Sequence, residues 1–570
     1  MIICPKCQRE LSDDARFCDH CGAKLPEART IPEREEVQPS NFPEKDRKTK
    51  LKSILLYSGF ALAALILMGA MVALITKADN ASPYYGFYLK DGELFGVDLS
   101  DKSTWQLSTT LVDRGSGSGA DLWDSAVARS AAVTLSKDRK YIFYFDRMES
   151  GGATLYCKET SSKKDAFKID TVDSRIYYVN DTASLVTYIK NGDLYQYNMK
   201  KSEKTKLIND VSQYTVSSDG KRIVCLDHEN TLYLKKSGGE AEEIDREVRQ
   251  LLLTSEDLQT VYYLKASEDE GDSLYKKTDG KDKVLIASDV YEVLQSYASG
   301  EFYFLRSTST IFPALYYFDG SEEKELCRNF ARNTYKCASG SAVMVFRTTD
   351  SDASRYVAVG GTVTPITLRG ISYCWIDGDG QTIYYLVGEQ LVFQVLGYGE
   401  LYQFSIANGV LGEPVLFDSE VSPKNAGFLA DGQFVYFKNV DADMGDMYAN
   451  GTFVDKNVSV YGISCNEETQ RIFYCTDRDT DCALKVYAKG KSALIDNGVD
   501  DYALFPGGDI LYVKNYHSDL KRGDLCLYKN GRSTMVDTDV ATIVSILESE
   551  DREDYFELGG WLGGAGGARD

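Results

Sequence analysis

Cys4, Cys7, Cys18 and Cys21 stand in a C-x2-C, ten-residue, C-x2-C arrangement. Two residues between thiolates let both sulfurs of one turn point at a common centre, and two such turns supply the tetrahedral shell that Zn²⁺ prefers. Two disulfides are the competing use of the same residues; they are disfavoured if this segment lies in a reducing compartment. Four thiolates leave no open position for water, so the expected zinc centre is structural and not catalytic. Lys6, Arg9 and Lys24 are placed to offset its residual negative charge, and His20 is read as an exposed neighbour of the fourth ligand.

Other chemistry is sparse. No G-x-S-x-G nucleophile turn occurs, and beyond the N-terminal region only His228 and His517 could act as a base. Both sit in polar surroundings and are expected at the surface, so the chain is read as no enzyme. Acidic clusters occur at Asp377–Gly380, Asp441–Asp446 and Asp477–Asp481. Alternate carboxylates in a loop can converge on Ca²⁺, but none of these continues as an EF-hand loop; turn-forming aspartate accounts for them more simply, with a calcium ligand set left open as the alternative for the last two. Nine cysteines lie beyond residue 150, an odd number. Cys225 and Cys526 fall in apolar strands and read as buried thiols, whereas Cys327 with Cys337 and Cys475 with Cys482 are close enough for a hairpin bridge.

The N-terminal phrasing CPKC…FCDHCGAKL resembles the short zinc ribbons found at the N-termini of many bacterial membrane proteins. The resemblance covers about residues 1–25 with all four ligand positions present. It implies a knuckle of two hairpin turns, too poor in apolar material to hold without metal.

These residues must be positioned by something, and the next element is a membrane anchor. Residues 54–75 read ILLYSGFALAALILMGAMVALI, an uncharged run of 22 residues. As a helix it extends about 33 Å, the thickness of a bilayer core. Residues 26–53 precede it as a proline-punctuated polar linker with a basic end (Lys45, Arg47, Lys48, Lys50, Lys52), while Lys77 is the only cation just beyond. The positive-inside bias then keeps the N-terminus in the cytoplasm and exports residues from about 80 onward, an uncleaved signal anchor with one span. Gly59 with Ala63 and Gly69 with Ala73 give the small-x-x-x-small spacing through which two such helices could form a homodimer.

The chain has 570 residues and a net charge of −22; residues 54–570 carry 53 basic and 76 acidic side chains. A surface so acidic repels a phosphate backbone, so no nucleic-acid partner is expected.

From residue 84 to about 545 one unit recurs: an Asp/Gly turn, a strand rich in Ile, Val and Tyr, another turn, and a Leu-Tyr strand. Asp219–Leu226 followed by Thr231–Lys235 is one copy. Eleven such strands centre near 87, 142, 186, 223, 261, 302, 342, 383, 434, 472 and 510, about 42 residues apart. That period is what four short antiparallel strands require. Arg175–Val179, Leu185–Ile189, Asp193–Tyr197 and Lys204–Ile208 show the four in order. β-branched and aromatic residues dominate, and no helical stripe competes. The expected fold is all-β, a β-propeller, with the 39 tyrosines filling the space between blades and their hydroxyls reaching the wet edge. Eleven units exceed the four to eight blades of an ordinary ring, so either two tandem rings divide near 320–345 or one large ring forms. The tail 557–570 is Gly-rich and expected without order.

The DGxxIYY and xLYxxD strands look like those of the TolB-like and low-density-lipoprotein-receptor-like (DUF5050-type) propellers of bacterial surface proteins. The resemblance implies an extracytoplasmic domain that binds a protein, peptide or glycan at the cell surface. A cell-envelope scaffold that gathers partner proteins is the alternative, and a hydrolase of unfamiliar type the third.

Overall fold

The computed structural model describes residues 2–3, 10–11, 84–108, 133–149, 152–160, 165–172, 177–255, 257–267, 271–307, 312–332, 334–349, 355–388, 398–476, 482–517, 519–544 and 546–548. Contacts divide the chain into two bodies, residues 1–80 and 81–570. In the first, Ile2–Ile3 pairs antiparallel with Glu10–Leu11. The span expected at 54–75 and the Gly-rich tail lie outside the described residues. Among the described residues no helix is long and apolar enough to cross a membrane.

The second body is all-β apart from one short 3₁₀ turn at Pro506–Gly508. Its repeating element is a four-stranded antiparallel sheet, as in Val211–Val216, Arg222–Asp227, Leu232–Lys236 and Ala241–Asp245. Eleven such units follow one another, numbered here by their second strands. These are Tyr85–Lys90, Tyr141–Glu149, Leu185–Lys190, Arg222–Asp227, Thr260–Lys265, Phe302–Arg306, Val343–Arg347, Thr382–Val387, Phe434–Asp441, Arg471–Thr476 and Ile510–His517. Each repeat position read from the sequence falls on or beside one of them. The four strands read from residue 175 appear as Tyr177–Val179, Leu185–Lys190, Asp193–Asn198 and Glu203–Ile208.

The Asp-Gly turn explains why the repeat is so visible. In unit 4 the Asp219 carboxylate accepts hydrogen bonds from Ser217 Oγ (2.8 Å) and from the Lys221 amide (2.9 Å). Gly220 then takes a φ of +74°, where a side chain is disfavoured. The second strand that follows is buried along its length, Ile223 to Asp227, so it carries the longest apolar run of its unit.

Unit 1 takes its first strand from the other end of the chain. The strand Arg532–Val544 serves as the last strand of unit 11 and then pairs with Tyr85–Lys90, with Phe87 opposite Val544 and Tyr88 opposite Ile543. Ile546–Glu548 continues into unit 2, parallel to Val133–Leu135.

The apolar core is divided among the joints. Consecutive units share a cluster of buried side chains, Phe145, Tyr177 and Tyr188 between units 2 and 3 for example. Between units 6 and 7, where two rings would part, Tyr303, Leu315, Met344 and Phe346 pack in one cluster. Unit 11 meets unit 1 in another, through Leu511, Val513, Tyr88 and Val97. Full burial of a side chain of this size is worth roughly 1.5–3 kcal/mol, so each joint is held mainly by its apolar contacts.

Candidate functional site

Cys4, Cys7, Cys18 and Cys21 lie outside the described residues, but the pairing of Ile2–Ile3 with Glu10–Leu11 brackets the first cysteine pair. His228 and His517 are both exposed, as expected; His517 ends the strand Ile510–His517. Cys475 and Cys482 form a disulfide, while no bridge joins Cys327 and Cys337. Cys225 and Cys526 are buried thiols.

The acidic clusters serve local structure. Asp377 accepts the Thr382 amide in its turn, Asp443 pairs with Lys424 at 2.6 Å, and Asp446 accepts from Asn439. Asp477–Asp481 lies outside the described residues. Among the described residues no group of three His, Cys, Asp or Glu side chains could hold a metal ion.

A motif that sequence reading missed occupies six joints. In unit 3, Tyr188 and Lys190 reach back to Asp170 on the last strand of unit 2. The same arrangement joins Tyr263 and Lys265 to Asp245, Tyr436 and Lys438 to Asp418, Tyr512 and Lys514 to Asp496, and Tyr88 and Lys90 to Asp537. In unit 10, Tyr474 does so with Asp455, and Lys485 supplies the ammonium from the next strand. Burial is the largest influence on each of these carboxyls and pushes it up. The ammonium, tyrosine and backbone donors together outweigh it and hold all six below the usual range. Six tyrosine hydroxyls therefore bind a carboxylate inside a joint, where the sequence reading had sent them toward water. The signal was present: Tyr-x-Lys on the second strand in five of the six.

An open cleft of about 280 Å³ lies where units 10 and 11 meet, lined by Arg471, Val486, Asp509, Tyr528, Asn530 and three glycines. Arg471 begins the second strand of unit 10 and makes no ion pair among the described residues. Its wall is fixed from behind: Asn466 donates to the Phe505 carbonyl at 3.1 Å and Glu468 accepts the Gly507 amide at 2.9 Å. Gly508 has a φ of +83°, and a Cβ on it would stand 2.9 Å from Arg471 Nη1. Asp509 is held by Lys529 at 2.8 Å, and that ammonium also donates to the Leu99 carbonyl of unit 1. The lining thus offers one guanidinium without a carboxylate, an amide, a tyrosine ring and glycine backbone. Such a set hydrogen-bonds and stacks against a small polar group. No His, Cys or Ser side chain lines it.

A zinc-ribbon domain matches residues 3–25. No curated protein matches the chain. Among solved structures, the chain is similar to a eukaryotic initiation factor, with 8% identity over 73% of this chain and 96% of that one and a TM-score of 0.37. It is similar to dipeptidyl peptidase 4 of Porphyromonas gingivalis, with 13% identity over 75% and 62% and a TM-score of 0.31. TolB of Acinetobacter baumannii has 12% identity over 43% and 63% and a TM-score of 0.22. At these scores nothing about activity or partners passes from those proteins to this one.

Proposed function

We propose that the chain is a single-span membrane protein with a structural zinc ribbon in the cytosol and an extracytoplasmic β-propeller that binds a protein, peptide or glycan. In this reading Cys4, Cys7, Cys18 and Cys21 hold the zinc, residues 54–75 cross the membrane, and the array closes as one ring of eleven units related to the TolB-like propellers. Closure is supported by a count. Eleven units in an open row have ten joints, whereas the described residues contain eleven apolar clusters, the eleventh between unit 11 and unit 1. The Cys475–Cys482 disulfide supports an oxidising compartment for the outer region.

The observation that carries recognition is the cleft beside Arg471, which offers hydrogen-bond donors on a fixed wall. Titrating a glycan and peptide panel against the full chain tests this. Binding that weakens at least about tenfold in Arg471→Ala supports it, and hydrolysis of a generic substrate panel by the purified chain overturns it. Protease added to intact cells tests the placement, because the bulk of the chain must be digested.

One observation favours the scaffold reading. The fourth strands carry exposed apolar side chains, Val284, Leu285, Val415, Leu416, Leu494 and Met535, and apolar side chains on a sheet's outer strand invite partner proteins. Cross-linking in cells separates the two: a scaffold captures a fixed protein set, a receptor a ligand-dependent one.

A further inference from the structure

The joint between units 7 and 8 departs from the others. Arg347 and Arg355 are directly opposite each other on neighbouring antiparallel strands, so both side chains lie on one face. That face also carries Val345 and Val357, which pack against Cys374 and Tyr385 of unit 8. Lys336, opposite Val345 on the first strand of unit 7, shares it. Like charges placed opposite each other on a sheet repel. Yet among the described residues none of the three cations pairs with a carboxylate, in a chain whose net charge is −22.

The clamp residue that ought to answer them is absent. Tyr385 occupies the place in unit 8 that Tyr188 and Tyr263 occupy in theirs, two residues before the end of the second strand. Where those units have lysine, unit 8 has Val387, and no aspartate reaches Tyr385 from unit 7. Its hydroxyl is fully buried and has no hydrogen-bond partner other than the Cys374 thiol beside it, and Arg347 Nε has none. Arg355 donates to the Ile371 carbonyl at 2.8 Å and so points into the joint. Burial and the neighbouring Arg347 both depress the Arg355 pKa, as expected for a cation short of a counter-charge. Both arginines remain partly exposed, so the pair is reachable from solvent.

We propose that this joint is an oxyanion site, in which Arg347 and Arg355 grip a carboxylate or phosphate group and the Tyr385 hydroxyl donates to it. The bound group takes the place that an aspartate holds in six other joints. Guanidinium forks suit such groups because their paired N–H donors match two oxygens. The site is separate from the Arg471 cleft and does not depend on where the membrane lies.

Titration calorimetry on the full chain in detergent tests this in two arms, one with inorganic phosphate, the other with a short acidic-ended peptide compared with its C-terminal amide. The wild type is expected to bind in at least one arm. Arg355→Gln should weaken that binding at least about tenfold and Tyr385→Phe about threefold to tenfold, while Arg532→Gln, an exposed arginine of unit 11, leaves it unchanged. Phosphate binding alone identifies a small free anion as the ligand; binding of the acid but not the amide identifies the end of a peptide. No binding in either arm, or equal binding by the wild type and both variants, overturns the proposal. Tyr385→Phe removes one oxygen from a packed ring and decides the matter should Arg355→Gln not fold.

Discussion

Replacing Asp170 with asparagine tests whether the joints are held by charge as well as by apolar contact. Asp170 is 6% exposed. Its carboxylate accepts from Tyr188 Oη at 2.9 Å, Lys190 Nζ at 2.6 Å, Lys204 Nζ at 2.9 Å and the Thr171 amide at 2.9 Å. Burial pushes this carboxyl up, but those donors outweigh it and hold the pKa at about 2 against an ordinary 3.8. A depression of that size corresponds to roughly 2.5 kcal/mol. The Lys204 side chain is 44% exposed, so water screens part of the interaction and about 1–2 kcal/mol remains. Asp170→Asn keeps one acceptor oxygen and should lose about that amount at pH 7. Asp170→Ala strands the buried Tyr188 hydroxyl as well and should lose about 3 kcal/mol. The pKa is lowered on folding, so the contribution is complete above the unfolded value near 4 and fades as the pH falls toward about 2. A chain of eleven units need not unfold in one step. The assay is therefore urea unfolding read by hydrogen exchange of Leu185–Lys190. The wild type should exceed Asp170→Asn by a constant margin from pH 8 to 5, narrowing below pH 4. Equal urea midpoints at pH 7, or a margin undiminished at pH 3, would refute the reasoning.

Elemental analysis of the purified full chain should find one zinc per chain, and Cys4→Ser or Cys18→Ser should lower the content by more than half; a metal content untouched by both would remove the four cysteines from the shell. Gly508→Ala places a side chain at a φ of +83° against Arg471, so thermal unfolding should show a loss of about 1–3 kcal/mol, and a gain would mean the turn relaxes freely. Truncation before Arg532 removes the strand that pairs with Tyr85–Lys90. It should leave a product that aggregates or binds a hydrophobic dye, because Phe87, Leu89 and Leu94 lose their cover; a monomer with native circular dichroism would show that the shared sheet is dispensable.

What was legible in the sequence was local. The Asp219-Gly220 turn and the buried run after it are fixed by neighbours a few residues apart, so the repeat and its four-strand period can be read without knowing which units touch. The pairing of Tyr88 with Ile543 joins residues more than 400 positions apart, and nothing in either strand's composition announces it. The joint clamps fall between these cases. Tyr188, Tyr263 and Tyr436 each stand 18 residues after their aspartate, a spacing that periodicity could have exposed. Reading every tyrosine as packing hid it, since a buried ring and a bonded hydroxyl are both satisfied at one position. The Arg471 cleft is assembled from four separate stretches of chain, and the facing of Arg347 with Arg355 depends on a hairpin register that the loop between them does not reveal.

The distribution of the clamps bears on why chemistry gathers where it does. A tyrosine and a lysine two residues apart reach the same aspartate only in one register, because a one-residue slip turns both to the other face of the sheet. Each clamped joint therefore sets the alignment of two units as well as adding to their cohesion, and such a joint has little freedom to change its residues. The three successive joints from unit 5 to unit 8 carry no clamp. There the tyrosine and lysine positions hold Phe304 with Arg306, Phe346 with Thr348, and Tyr385 with Val387, and polar ties to backbone replace the shared carboxylate: Arg306 to the Ser288 carbonyl, Tyr303 to that of Ala342 and Arg355 to that of Ile371. Alignment in this stretch rests on apolar packing, which tolerates exchange of side chains of similar volume. Cations can then be accommodated on a joint face without losing the register of the array, and it is in this stretch that Arg347 and Arg355 face unit 8 with no aspartate between them.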